Sequence, residues 1–507
     1  MALLERQALH DVETEALIKE ARRLRRRRWV IGLCLTIVAA SVGLVIAIAD
    51  QGSSPNRPGS AKPATTVVAP PVVNVKAFSG HGQLAFVSRG NLWVLDGTAK
   101  SLHQVALPKG LVPTAPSFSH DGRWLAFVTG LGVPDPDSSG GMFYSKYSLW
   151  MAAANGTHAR RVTSLMDGDA DAFGWSPRAD LYAIAAGPTS TPFPYGQPTT
   201  LRLVSPNGSQ RVLVRAPAVV GAAWSPDGAS LALSTMGHDD VPSLISYSLA
   251  GHRSTTWTGA PAAKEDWLVP AGWWNRWGVV YSVVDNGMVP SGEGSFNNST
   301  LYSLGSPDGT PRLLGQTLIN DSDGAPTATG SGLLAFVSST GNDPRTPLDG
   351  KQVEVCTAPS NPCVAAPTPA GDVSLDPAWS PSGSILAYAT APDISSYAYG
   401  PAVAAWYDSH ALRLYDPKTG TTAEPANAAG ATNPIWSDKG KDLLYASHNG
   451  VWLLPGTHAQ SQQISSPLFA DPNLLDSYYG EVDWSQQFGW SAGAAVTECY
   501  AACDPQL

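Results

Sequence analysis

Charge is what this 507-residue sequence has least of. Asp, Glu, Lys and Arg make up 14% of it, against about 25% in an average soluble domain. The 32 basic residues are outnumbered by 41 acidic ones, and the net charge of −9 excludes a general nucleic-acid binder. Absent as well are a P-loop, a dinucleotide fingerprint and an H-E-x-x-H helix, and the ten histidines are scattered without ligand spacing. Cysteine is scarce, at five residues. Sustained helical patterning is also missing: 49 Gly and 42 Pro, together about 18%, argue against coiled coils and bundles. At 43% hydrophobic residues the chain still buries a core, so wholesale disorder is excluded.

A single long apolar run is present, the 21 uncharged residues from Trp29 to Ala49. As a helix it rises about 31 Å, the thickness of a bilayer core. Arg22, Arg23, Arg25, Arg26, Arg27 and Arg28 abut its N-terminal side, and Asp50-Gln51-Gly52 follow it. The positive-inside rule then predicts a cytoplasmic tail over 1–28, a transmembrane helix over 29–49, and an extracytoplasmic remainder. This makes the chain a single-pass protein of the plasma membrane. The alternative is a cleaved signal peptide ending at Ala47-Ile48-Ala49, with an h-region longer than the usual 7–15 residues. Residues 50–78 read as a Pro/Ser/Thr-rich linker carrying Pro55, Pro58, Pro63, Pro70 and Pro71. Cys34 falls in the span. Cys356, Cys363, Cys499 and Cys503 fall outside it, where disulfides persist. Proximity favours Cys356–Cys363 and Cys499–Cys503; zinc is the rival, but no histidine accompanies either pair.

Beyond the linker the sequence repeats. Leu84-Ala-Phe-Val87 recurs as Leu125–Val128 and Leu334–Val337, with looser copies at Leu181, Leu231, Val279, Leu386 and Leu443. A second apolar strand follows each of the eight, as in Leu92-Trp-Val-Leu95 and Val451-Trp-Leu-Leu454. Before most of them stands an aromatic and a turn: Phe118-Ser-His-Asp-Gly122, Trp175-Ser-Pro177, Trp224-Ser-Pro-Asp-Gly228, Trp379-Ser-Pro-Ser-Gly383 and Trp436-Ser-Asp-Lys-Gly440. Pro presets φ, Asp caps the turn and Gly supplies φ > 0. The spacing of about 52 residues is that of propeller blades.

These motifs resemble the TolB-type, WD40-like β-propeller repeat over about residues 79–490. The expected fold is all-β: an eight-bladed propeller, or alternatively seven blades, of four-stranded antiparallel blades over 79–495. TolB-type propellers usually have six blades, and the inner strands near Trp273 and Pro326 lack the motif here. Trp484 is an inner strand left over at the C-terminus, so it is expected to pair beside Leu84–Val87 and close the ring. Residues 496–507 then form a disulfide-containing tail. The resemblance implies protein partners.

In a blade with strands a to d, the a–b and c–d turns share one face and the b–c and d–a loops share the other. The first face has tight turns such as Asp96-Gly97, Asn155-Gly156, Asn207-Gly208 and Asp308-Gly309, and reads as built for stability. The second carries b–c loops over 129–148, 185–200, 235–243, 284–300, 338–350 and 390–411, and long loops often carry function. They are rich in acids and in aromatics expected to be exposed. Tyr144, Tyr147, Tyr195, Tyr397, Tyr399, Trp406, Tyr407 and Asp408 are the candidate ligand-binding set, suited to a cationic peptide or to sugar stacking. Asp167, Asp169 and Asp171 alternate as in a calcium loop, but Ala172 replaces the required Gly and Arg178 the closing Glu. Calcium is thus the one cofactor worth weighing. Gly489-Trp-Ser-Ala-Gly493 matches a nucleophile elbow without the strand-to-helix context or a downstream His.

The expected role is a protein-binding or scaffolding module of the cell envelope, not an enzyme, meeting an extracytoplasmic protein or cell-wall glycan on the long-loop face. The alternatives are a propeller hydrolase or lyase with an acidic channel-mouth site, and a glycan- or calcium-binding surface sensor.

Overall fold

The computed structural model describes residues 70–134, 142–163, 170–186, 199–216, 218–236, 241–260, 267–284, 298–318, 326–339, 350–393, 401–468 and 484–492. The chain divides into two units, Met1–Val68 and Ala69–Leu507. The first unit, with the expected tail, span and most of the linker, lies outside the described residues. Among the described residues no helix is long and apolar enough to cross a membrane.

The second unit is a propeller of eight four-stranded antiparallel sheets. Blades two to eight begin at Leu111, Ala170, Ala218, Trp267, Thr327, Asp372 and Thr432, and each is built from four consecutive strands. Blade one combines Gln83–Ser88, Asn91–Asp96 and Ser101–Gln104 with the last strand, Phe488–Ser491. Eight sheets remove the seven-blade alternative. Both blades lacking the motif are present, although the sixth inner strand is only Thr327–Ala328.

Why the apolar strands repeat is visible in their burial. Leu84, Ala85, Phe86, Leu125, Ala126, Phe127, Leu334 and Ala335 are all buried, because each b strand is covered on both faces by neighbouring blades. The turns explain the Ser. Ser225 Oγ donates to Asp227 Oδ1 at 2.6 Å and accepts from the Ser230 amide at 2.9 Å. Ser119, Ser380 and Ser437 accept the equivalent amides of Trp124, Ile385 and Asp442. In blade six Thr329 takes this place, accepting from Leu333 N at 2.9 Å. That substitution hid the sixth turn from pattern reading.

The tryptophans join one blade to the next. The indoles of Trp175, Trp224, Trp273 and Trp436 donate to the carbonyls of Ser117, Gly174, Ala223 and Ala378 at 3.0–3.2 Å. In each case the acceptor directly precedes the matching aromatic of the preceding blade.

Closure is real, but its strand is not the expected one. Trp484 lies in a 3-10 turn, Trp484–Gln486, buried in the core. The closing strand starts four residues later, and Trp490 faces Leu84, the position Trp436 takes against Leu443. Trp490-Ser491 is therefore the displaced Trp-Ser motif; Trp490 Nε1 donates to His81 O at 2.7 Å, and His81 Nδ1 meets Asp442 of blade eight at 3.0 Å. A Cβ on Gly489 would lie 2.3 Å from the Pro116 carbonyl oxygen, so blade two admits only glycine there. Gly489, Trp490 and Ser491 of the elbow match thus belong to the propeller strand Phe488–Ser491, where Ser491 is buried.

Two further expectations resolve here. Cys356 and Cys363 form a disulfide that clamps the c–d turn of blade six, while Cys499 and Cys503 lie outside the described residues. Much of the loop expected over 129–148 is strand: Trp124–Pro134 and Met142–Ala153 pair out to Pro134–Met142.

Candidate functional site

On the long-loop face, the b–c connection of blade seven contains the helix α1, Pro401–Asp408. Pro401 suits its first turn, where the missing N–H costs nothing. The other end is capped by side chains: Ser409 Oγ donates to Trp406 O at 2.6 Å, and His410 Nδ1 lies 2.9 Å from the same oxygen. A carbonyl only accepts, so His410 carries a proton on Nδ1.

This helix turns its aromatics inward. Trp406 is 6% exposed and Tyr407 2%. The Trp406 indole donates to Pro392 O at 3.0 Å. Tyr407 stacks on His410 at 5.2 Å and meets Trp484 edge-on at 6.4 Å. The expectation that these two aromatics stand exposed fails for a physical reason. A two-turn helix lacks the hydrogen bonds to stand alone and is held by burying its large side chains.

What reaches solvent beside α1 is charge. Asp408 is half exposed, and His448 Nδ1 from the short b–c turn of blade eight approaches its Oδ1 to 2.7 Å. Glu424 Oε2, just past the outer strand of blade seven, meets Arg413 Nη1 at 3.0 Å. Between them runs a cleft of about 530 Å³, lined by residues 408–411 and 424–429. Gly430 N donates to His410 O at 2.7 Å, which ties the cleft floor to α1. Burial pushes the Tyr445 hydroxyl up to about 12, so it remains a donor to Asn427 O at 3.2 Å on the other wall. The cleft thus offers two carboxylates, one beside the imidazole of His448 and one beside the Arg413 guanidinium, whose places a ligand's own positive groups can take.

The remaining candidates divide. Tyr147 is half-buried and packs on the core between blades two and three. Tyr144 pairs with Gly132 in the extended hairpin of blade two. Tyr195, Tyr397, Tyr399, Asp167 and Asp169 lie outside the described residues. Asp171 belongs to the strand Ala170–Trp175, opposite Ala185.

A metal-like group occurs instead on the tight-turn face, where His120, Asp121 and Asp180 converge. Arg123 occupies it: its Nη2 meets Asp180 Oδ2 at 2.8 Å and its Nε bonds Asp121 Oδ2. Burial alone would raise the Asp121 carboxyl, but bonds from Ser119 and Arg123 hold it below the usual range. This group joins the a–b turns of blades two and three.

Asp408 was legible in the sequence as a candidate. His410, His448, Arg413 and Glu424 were not. The ten histidines lack any fixed spacing; Asp408 and His448 meet across two blades, and Arg413 and Glu424 meet only when the outer strand of blade seven folds back.

No protein-family model matches this chain, and no curated protein does. Solved propellers do resemble it. TolB from Acinetobacter baumannii is 13% identical, with a TM-score of 0.32, covering 74% of this chain and 77% of that one. The propeller domain of the Trilobed protease from Pyrococcus furiosus is 9% identical, with a TM-score of 0.41, covering 73% and 100%. An oligogalacturonate lyase in complex with manganese is 12% identical, with a TM-score of 0.40, covering 80% and 89%. A TolB, a protease domain and a lyase at such distances carry no argument about chemistry. The fold rests on the chain's own sheets.

Proposed function

We propose that this protein is a membrane-anchored, extracytoplasmic propeller that binds a protein partner in the cell envelope through its long-loop face. The observation that carries the reading is the cleft beside α1, where Asp408 and Glu424 reach solvent on a rigid wall. Its partner is a cationic segment: lysine or arginine side chains exchange for His448 and Arg413 at the two carboxylates. The span over 29–49 supplies the anchor. The described chain enters along the outer edge of blade eight, with Ser466 N donating to Val72 O at 2.8 Å and Asn74 N to Ile464 O at 2.7 Å.

The test is site-specific photocrosslinking from position 427 of the full-length protein in its own membrane, followed by the Asp408→Ala/Glu424→Ala variant. A crosslinked protein that disappears in the variant, at unchanged melting temperature, supports the reading. A crosslink indifferent to both carboxylates overturns it. Fractionation adds a second check, because recovery of the chain in the soluble fraction with a mature N-terminus at Asp50 would remove the anchor.

A hydrolase or lyase is the second reading, favoured by the convergence of Asp408, Glu424 and His410 on one cleft. Turnover of glycan or peptide substrates that vanishes in Glu424→Gln would install it in place of binding.

A further inference from the structure

The outer rim of blades two to four differs from the rest of the molecule. Its c–d turns and outer strands, residues 154–163, 205–216 and 249–256, hold five arginines and no acidic residue. The same stretches of the other five blades hold one arginine, Arg312. In a chain of net charge −9 this concentration is a pole of its own.

Contacts tie the rims of these three blades to one another. Arg160 Nη2 donates to Pro206 O of the next blade, and Gln210 Nε2 returns a bond to Val162 O at 2.8 Å. Arg211 Nη1 lies 3.2 Å from His252 Nδ1 of the blade after that. A guanidinium only donates, so His252 Nδ1 is the acceptor of that contact. Arg160, Arg161, Arg215 and Arg253 are exposed along this line.

The rim also contains a long open edge. Gln210–Ala216 is the outermost strand of blade three and runs seven residues, where the outer strands beside it have two and four. It pairs on its inner side with Thr199–Val204. Val212, 42% exposed, offers an apolar contact on the same strand. A polyphosphate or a lipid headgroup uses the arginines alone. An extended polypeptide uses the arginines, the unpaired backbone groups and the valine together.

We propose that this rim docks an acidic, extended segment of a partner protein as an added strand on Gln210–Ala216, with Arg160, Arg161, Arg211 and Arg253 taking its carboxylates. Guanidinium forks suit carboxylates in bidentate geometry. The surface is separate from the cleft beside α1, so this inference stands or falls independently of the proposed function.

The test uses the full-length protein and a fluorescent peptide of alternating Glu and Val, with an N-methylated copy of equal charge and a polyphosphate as comparison probes. The peptide is expected to bind saturably, to weaken as salt rises, and to lose tenfold or more in affinity in Arg161→Gln/Arg253→Gln at unchanged melting temperature. The N-methylated copy, which cannot pair with the edge, is expected to bind at least tenfold more weakly. Equal binding of the two peptides, tighter binding of polyphosphate, or indifference to the double variant would overturn the proposal.

Discussion

The two faces of this propeller are built from the same strands and obey different rules. On the tight-turn face the repeated Ser and Asp bond within their own turn: Ser225 and Asp227 satisfy one another and the turn amides. Bonds from Ser225 and the Ala229 amide hold the Asp227 carboxyl low despite its partial burial. On the long-loop face the aromatics turn inward and the charges are paired across blades, as in Asp408–His448. One face stabilises the ring, and the other leaves exchangeable charge at its surface. The sharpest way to break this contrast is to remove what both faces depend on. Truncation after residue 483 deletes the closing strand, opens the edge of Gln83–Ser88 and uncovers Trp93 and Phe86. The expected outcome is loss of the soluble folded protein, read by gel filtration. A monomeric truncated form with a cooperative melt would show that ring closure is dispensable.

Next in size is Trp406→Ala. It removes a fully packed indole and its bond to Pro392, and is expected to cost about 3–5 kcal/mol in chemical denaturation. Asp408→Ala, two residues on, is expected to cost no more than about 1 kcal/mol. Equal costs would mean that α1 is not divided into a buried and a working side. On the opposite face, Ser225→Ala leaves the Ser230 amide and Asp227 without their partner, for an expected loss of about 1–2 kcal/mol.

How far the sequence reached follows the same division. The blade count, the turn chemistry and the Cys356–Cys363 clamp were readable because each rests on residues adjacent in the chain. Closure was readable in kind but misplaced, since Trp484-Ser485 and Trp490-Ser491 satisfy the same pattern six residues apart. Pairing with Leu84 decides between them, and that is a contact across the whole chain. The aromatics of the 390–411 loop were misread because loop position suggests exposure, while the helix Pro401–Asp408 buries Trp406 and Tyr407. His448 was invisible because it reaches Asp408 only when blades seven and eight are side by side, and Glu424 because it meets the b–c connection of its own blade only once the outer strand has folded back.

The smallest expected effect lies away from both faces, in the strand Lys351–Cys356 of blade six. Burial pushes the Glu354 carboxyl above its usual range, and a bond from Ser338 Oγ at 3.4 Å only partly offsets it. A carboxyl raised in the folded state favours folding while it is protonated in both states. That advantage is lost as pH rises through the folded value, so at neutral pH the ionised Glu354 works against the fold. Glu354→Gln keeps an acceptor for Ser338 and removes the charge. It is expected to raise the melting temperature slightly at pH 7 and to have no effect at pH 3, where wild-type Glu354 is already neutral. A variant that lost stability at pH 7 would mean that the carboxylate is held by a partner stronger than Ser338. Blade six would then carry a charge network like those of the two faces.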